Sequence, residues 1–148
     1  MTTAEMNEVT RQEWRDLGFF YDYDKAGSRW QLIGSQLGLL RFVEILDSYV
    51  ADPKNERLSE HEHYGPYWFL KLLTWREAAI SESAICGTLS DFRRLAAMVR
   101  SKLDSAPVGS TFNIGHEYAL GSKSLIAFEV REEGFDPASA DPLLSNAN

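Results

Sequence analysis

The chain carries a gap-free internal repeat. With Gly34 placed on Gly87, "GSQLGLLRFVEILDSYV" lies over "GTLSDFRRLAAMVRSKL". The glycine, Arg41 with Arg94 and Ser48 with Ser101 are identical, and the apolar positions agree in type: Leu39 with Phe92, Phe42 with Leu95, Ile45 with Met98, Leu46 with Val99, Val50 with Leu103. Apolar residues recurring every three or four positions define one face of a helix. Two amphipathic helices share such spacing by necessity, so the order around them says more than the helices do. Each follows an apolar strand and a Gly-Ser or Gly-Thr step, and each precedes a histidine-bearing segment and a second apolar strand. That order predicts two β-α-β-β units, over about 29–75 and 82–131, forming one antiparallel-rich sheet with both amphipathic helices on one face: an α+β domain spanning 1–136.

The flanking segments extend this frame. "TRQEWRDLG" offers Thr10 and Glu13 as a capping box and Gly18 as a stop, which predicts a short N-terminal helix of about two turns. "FFYDYDKAGSRWQLIG" reads as a hairpin, with strands near 19–24 and 29–34. The first repeat helix ends before Pro53. "YWFLKLLTW" is apolar at successive positions and fits a central strand covered on both faces. "STFNIGHEY" and "SLIAFEVRE", either side of "ALGSK", read as a closing hairpin. The tail 137–148, with two Asp-Pro steps and small polar residues, is expected to be extended or mobile.

Composition narrows the function classes. Hydrophobic residues make up 44% and aromatic residues 12% of the 148, enough to bury a core in a single domain. Twenty-two acidic against fifteen basic residues give a net charge of −7, which opposes binding to nucleic acid or to an anionic membrane and favours a basic partner. The single cysteine, Cys86, allows no intrachain disulfide. There is no basic-then-apolar leader and no apolar run approaching about eighteen residues. A cytoplasmic protein is expected.

The stretch "HEHYGPYW" (61–68) concentrates the candidate binding residues. Alternate side chains of a strand share a face, so His61 and His63 project together, with Glu60 and Glu62 opposite. If the repeat pairs this segment with "NIGHEY", His116 joins them and Glu117 adds an oxygen, a ligand set resembling a catalytic zinc site. The alternative is that these rings line a polar sheet edge. Gly65 and Pro66 suit a tight turn, while Tyr64, Tyr67, Trp68 and Trp75 supply area to the core or to a pocket rim. Asp22 and Asp24 share a strand face and add acid to the candidate surface. Other chemistries lack support: "GSQLG" has neither a P-loop lysine nor a GxGxxG pattern and reads as capping, as does "GTLSD". No G-x-S-x-G elbow is present, and Cys86 in "SAICGT" reads as packing. Arg93, Arg94, Arg100 and Lys102 read as a solvated helix face.

The series "LIGSQLGLL", amphipathic helix, "HEH", apolar strand resembles the short β-α-β-β immunity proteins of bacterial polymorphic toxin systems, in particular those called immunity protein 32. The likeness covers about 31–75, with an echo over 84–130, in a chain that is longer and doubled. It implies a small protein that binds and blocks a cognate toxin, with Gly34, Ser35, His61 and His63 as the positions carried over; on this reading no cofactor is expected. An acidic inhibitor of a basic toxin gains encounter rate from complementary charge. The alternative from another class is a metal-dependent, hydrolase-like enzyme with zinc or another divalent ion on His61, His63 and His116.

Overall fold

The computed structural model describes residues 2–145, and residues 146–148 of the expected tail lie outside the described residues. Helix α1 runs over Thr3–Leu17. It begins well before Thr10 because the T-x-x-E pattern occurs twice. Thr2 accepts from the Glu5 backbone and Glu5 reaches back to the Thr2 backbone, and nothing between there and Thr10 breaks a helix. The Thr10 hydroxyl instead donates to the Met6 carbonyl inside the helix. Gly18, at φ 95°, closes α1 as expected, its N–H reaching the Trp14 carbonyl.

Strands β1 (Phe20–Asp24) and β2 (Arg29–Ser35) form the expected hairpin and lead into helix α2 (Gln36–Ala51). Then follow β3 (His61–Tyr64), β4 (Leu70–Thr74), the two-residue β5 (Ala79–Ile80), β6 (Ile85–Gly87), helix α3 (Leu89–Asp104), β7 (Thr111–Ile114) and β8 (Leu125–Arg131). The repeat register holds at the helices. Ser35 and Thr88, which the alignment superposes, are the two N-caps, and each helix is 16 residues long.

The protein is an α+β fold of two units with an N-terminal helix, as expected, but the single sheet is corrected to two. One has the order β1-β2-β8-β7 and the other β3-β4-β6-β5; each joins two antiparallel hairpins through a central parallel pair, β2 with β8 and β4 with β6. The repeating unit is therefore ββαββ, and its registers agree: Tyr21 faces Leu32 as Ile80 faces Ile85, Glu62 faces Leu72 as Phe112 faces Phe128, and Gly34 faces Val130 as Gly87 faces Thr74. The halves exchange partners. The first hairpin pairs with the last, and the hairpin before α3 pairs with the one after α2. Each helix therefore carries the chain from one sheet to the other.

The core lies where the helices meet the inner faces of both sheets. In β2 and β8 burial alternates, with Trp30, Leu32, Ile126, Phe128 and Val130 inside. Helix α2 bridges the sheets. Phe42 packs against Phe128 at 6.0 Å between rings, while Tyr49 meets Phe92 of α3 at 5.3 Å and places its hydroxyl 2.6 Å from Thr74 of β4. Thr74 in turn donates to the Asn55 carbonyl, and the Asn55 amide donates to the carbonyl of Tyr49, so buried polar groups tie the end of α2 to β4.

Two further expectations change. β4 is central but covered on one face: Leu70, Leu72 and Thr74 are buried, Lys71 and Leu73 half-buried, and Trp68, Phe69 and Trp75 are exposed because the apolar run begins in a turn. The segment 137–145, expected to be extended, folds into a 3-10 turn (Pro137–Ala140) and the one-turn helix α4 (Pro142–Ser145). It docks through an Arg15–Asp136 ion pair at 3.1 Å and through buried Ala138 and Leu144. Each Asp-Pro step starts a helical turn, with Asp136 accepting from Ala138 and Asp141 from Leu143. No helix among the described residues is long and apolar enough to cross a membrane.

Candidate functional site

The β3–β4 connection has the most unusual backbone among the described residues. After Gly65 (φ 73°), Tyr67 and Trp68 both adopt the left-handed conformation, at φ 66° and 58°. Bulky residues rarely do so, at a cost of about 1–3 kcal/mol each. The neighbourhood holds them there. The Tyr21 hydroxyl lies 2.6 Å from the Pro66 carbonyl and 2.9 Å from that of Tyr64, and accepts from the Phe69 N–H. The Tyr67 hydroxyl donates to Asp141 at 2.7 Å. The Trp68 carbonyl accepts from a ring nitrogen of His63 at 2.8 Å.

Asp141 is the hub of this arrangement. It is 2% exposed and accepts from the Trp14 indole at 2.9 Å as well as from Tyr67 and the Leu143 backbone. One carboxylate thus joins α1, the strained turn and α4. Burial, and then donation to Asp141, push the Tyr67 hydroxyl to a higher pKa than a free tyrosine. The "ADP" of the tail gave no sign of this role, because the side-chain partners of Asp141, Tyr67 and Trp14, lie 74 and 127 residues away in sequence.

Between β1, this turn, the outer side of β4 and the C-terminal segment opens a cleft of about 780 Å³. Its walls are aromatic: Trp14, Tyr21, Tyr23, Trp30, Trp68 and Phe69 all contribute. Asp22, Glu82, Lys25 and Lys71 also line it, and none of the four joins an ion pair among the described residues. Burial, and then the charge of Asp24, raise the Asp22 carboxyl above its ordinary value against the opposing pull of Arg29. Trp68 is 69% and Phe69 67% exposed, so the rim presents large apolar rings to solvent.

The sequence-derived candidates divide around this cleft. His63, Tyr67 and Asp22 line it. His61 lies beside His63 on the exposed outer face of β3, as the two-residue period requires, with ring centroids 5.4 Å apart. Tyr64 points to the other face, where its hydroxyl donates to Glu62 at 2.8 Å. Asp24 shares the face of Asp22 but is spent on the hairpin, accepting from the Gly27 N–H and pairing with Arg29 at 3.3 Å.

His116 does not join the other histidines, and the three-histidine centre is corrected. The repeat places Gly115 on Gly65, so His116 falls on Pro66 in the turn after β7, while Thr111 and Asn113 occupy the strand positions of His61 and His63. Among the described residues no group of three or more His, Cys, Asp or Glu side chains is placed to hold a metal ion. Cys86 is a buried free thiol whose pKa burial raises.

No model of a known protein family matches this chain, and neither a curated protein nor a solved structure matches it.

Proposed function

We propose that the protein is a small acidic binding protein, of the immunity or inhibitor kind, that captures a basic protein partner over the aromatic cleft and neutralises it. One observation carries this reading: Tyr67, Trp68 and Phe69 are presented at the rim of the cleft by a strained turn that hydrogen bonds to three neighbours, Tyr21, His63 and Asp141, hold in place. Exposed aromatics beside a concave apolar wall have the make-up of an interface hot spot, where rigid rings give area at little entropic cost. The net charge of −7 adds steering towards a basic partner. A buried lone thiol is consistent with the cytoplasm as its setting.

Co-expression with a panel of basic bacterial toxin domains tests the reading. Growth should be rescued and a stoichiometric complex should appear by light scattering. A Trp68→Ala/Phe69→Ala variant should keep its fold by circular dichroism yet bind at least about 100-fold more weakly, as expected for central hot-spot residues. A complex whose affinity ignores both rings would refute the assignment of the surface.

A further inference from the structure

His61 and His63 are held in the same way. Each turns Nδ1 to a backbone carbonyl, that of Ser59 at 3.0 Å for His61 and that of Trp68 at 2.8 Å for His63. A carbonyl oxygen can only accept, so Nδ1 carries the proton in both rings. The neutral ring then bears its lone pair on Nε2. A metal-ligating histidine is commonly oriented this way, one nitrogen donating to a carbonyl and the other left basic for the ion.

The spacing agrees with this. The ring centroids lie 5.4 Å apart with the planes at 89°. Two imidazoles on one tetrahedral ion, with Zn–N near 2.0 Å, place their centroids about 5 Å apart. The Trp68 ring stacks on His63 at 6.3 Å and 20°, so the same strained turn supplies both the carbonyl and the wall that fix this ring.

We infer that His61 and His63 form a two-nitrogen site for one imidazole-preferring divalent ion of the zinc and nickel type, bound through the two Nε2 atoms. The residues opposite on β4 are Leu73 and Lys71, which add no ligand, so the other coordination positions belong to water or to donors brought by a second molecule. Lys71 places a like charge near the ion and keeps the affinity moderate. The site does not depend on the reading of the cleft as a partner surface, and either can fail alone.

Titration of untagged, metal-free protein with zinc chloride, followed by calorimetry and by the ¹⁵N resonances of the imidazoles, tests the site. The expected result is one ion per chain with a micromolar dissociation constant and zinc-induced shifts at Nε2 of His61 and His63. His61→Ala and His63→Ala should each weaken binding at least tenfold, the double variant should abolish it, and His116→Ala should leave it unchanged. Both rings are exposed, so circular dichroism should report an intact fold in every variant. Binding only in the millimolar range, or micromolar binding that survives the double variant, would overturn the inference.

Discussion

Two turns occupy the same place in the two halves of this protein and have opposite characters. After β7, Gly115-His116-Glu117-Tyr118 sends its aromatic residue inward: Tyr118 is buried, its hydroxyl donates to the Cys86 carbonyl at 2.7 Å, and Arg94 lies 4.9 Å over its ring while donating to the carbonyls of Glu117 and Tyr118. After β3, Gly65-Pro66-Tyr67-Trp68 sends its aromatics outward in left-handed backbone. Matching registers leave the two turns equivalent in topology. Of these two turns in equivalent places, one packs its aromatic residue into the fold and the other leaves its aromatics exposed.

The contrast is sharpest in stability. Tyr118→Ala removes a buried ring and leaves the Cys86 carbonyl short of a donor, so unfolding titrations should show a loss of about 3–5 kcal/mol. Asp141→Ala strands the Trp14 indole N–H and the Tyr67 hydroxyl and should cost about 2–3 kcal/mol. It should also raise hydrogen exchange over 65–69 and leave 115–118 unaffected. The helix caps permit a direct comparison of halves. Thr88→Ala also breaks the reciprocal Asp91 contact and should cost about 1–2 kcal/mol, whereas Ser35→Ala, a single cap bond, should cost about 1 kcal/mol or less. Trp68→Ala, despite removing a large ring, should stay within about 0.5 kcal/mol of the parent, as exposed positions do. If it costs as much as Tyr118→Ala, the two turns are not divided as described.

The smallest expected effect is on the strap that braces the open turn. The Arg15 side chain, by hydrogen bond and charge, holds the Asp136 carboxyl below the ordinary aspartate range. A depressed folded-state pKa means that the stabilisation is complete above the unfolded value near 4 and is lost as pH falls through the folded value. The pair is exposed, so the change should be small and sensitive to salt. It should appear as faster exchange over 136–144 below about pH 4, and Arg15→Gln should reduce the pH dependence to the part that the Ala138 N–H bond to Asp136 supports.

Much of the fold was legible because its signals are local. The 3.6-residue period marks α2 and α3, Ser35 and Thr88 announce their caps, and the period of two places His61 and His63 on one face. The exchange of hairpins was not legible, since apolar strands of similar pattern do not name their partners and β5 is only two residues long. Nor was the cleft, which joins Trp14, Trp30, Tyr67 and Asp141 through tertiary contacts alone. The phenols and carboxylates that hold it are each unremarkable in the sequence. The left-handed pair at Tyr67 and Trp68 had no sequence signal either, because bulky aromatics ordinarily argue against that backbone.

The measurement that bears most directly on the division between the two turns is hydrogen exchange of the protein alone and bound to a basic toxin domain that forms a stoichiometric complex with it. Strong protection is expected over 65–69 and along β1, with 115–120 unchanged. Protection confined to 115–120, or the same at both turns, would contradict that division.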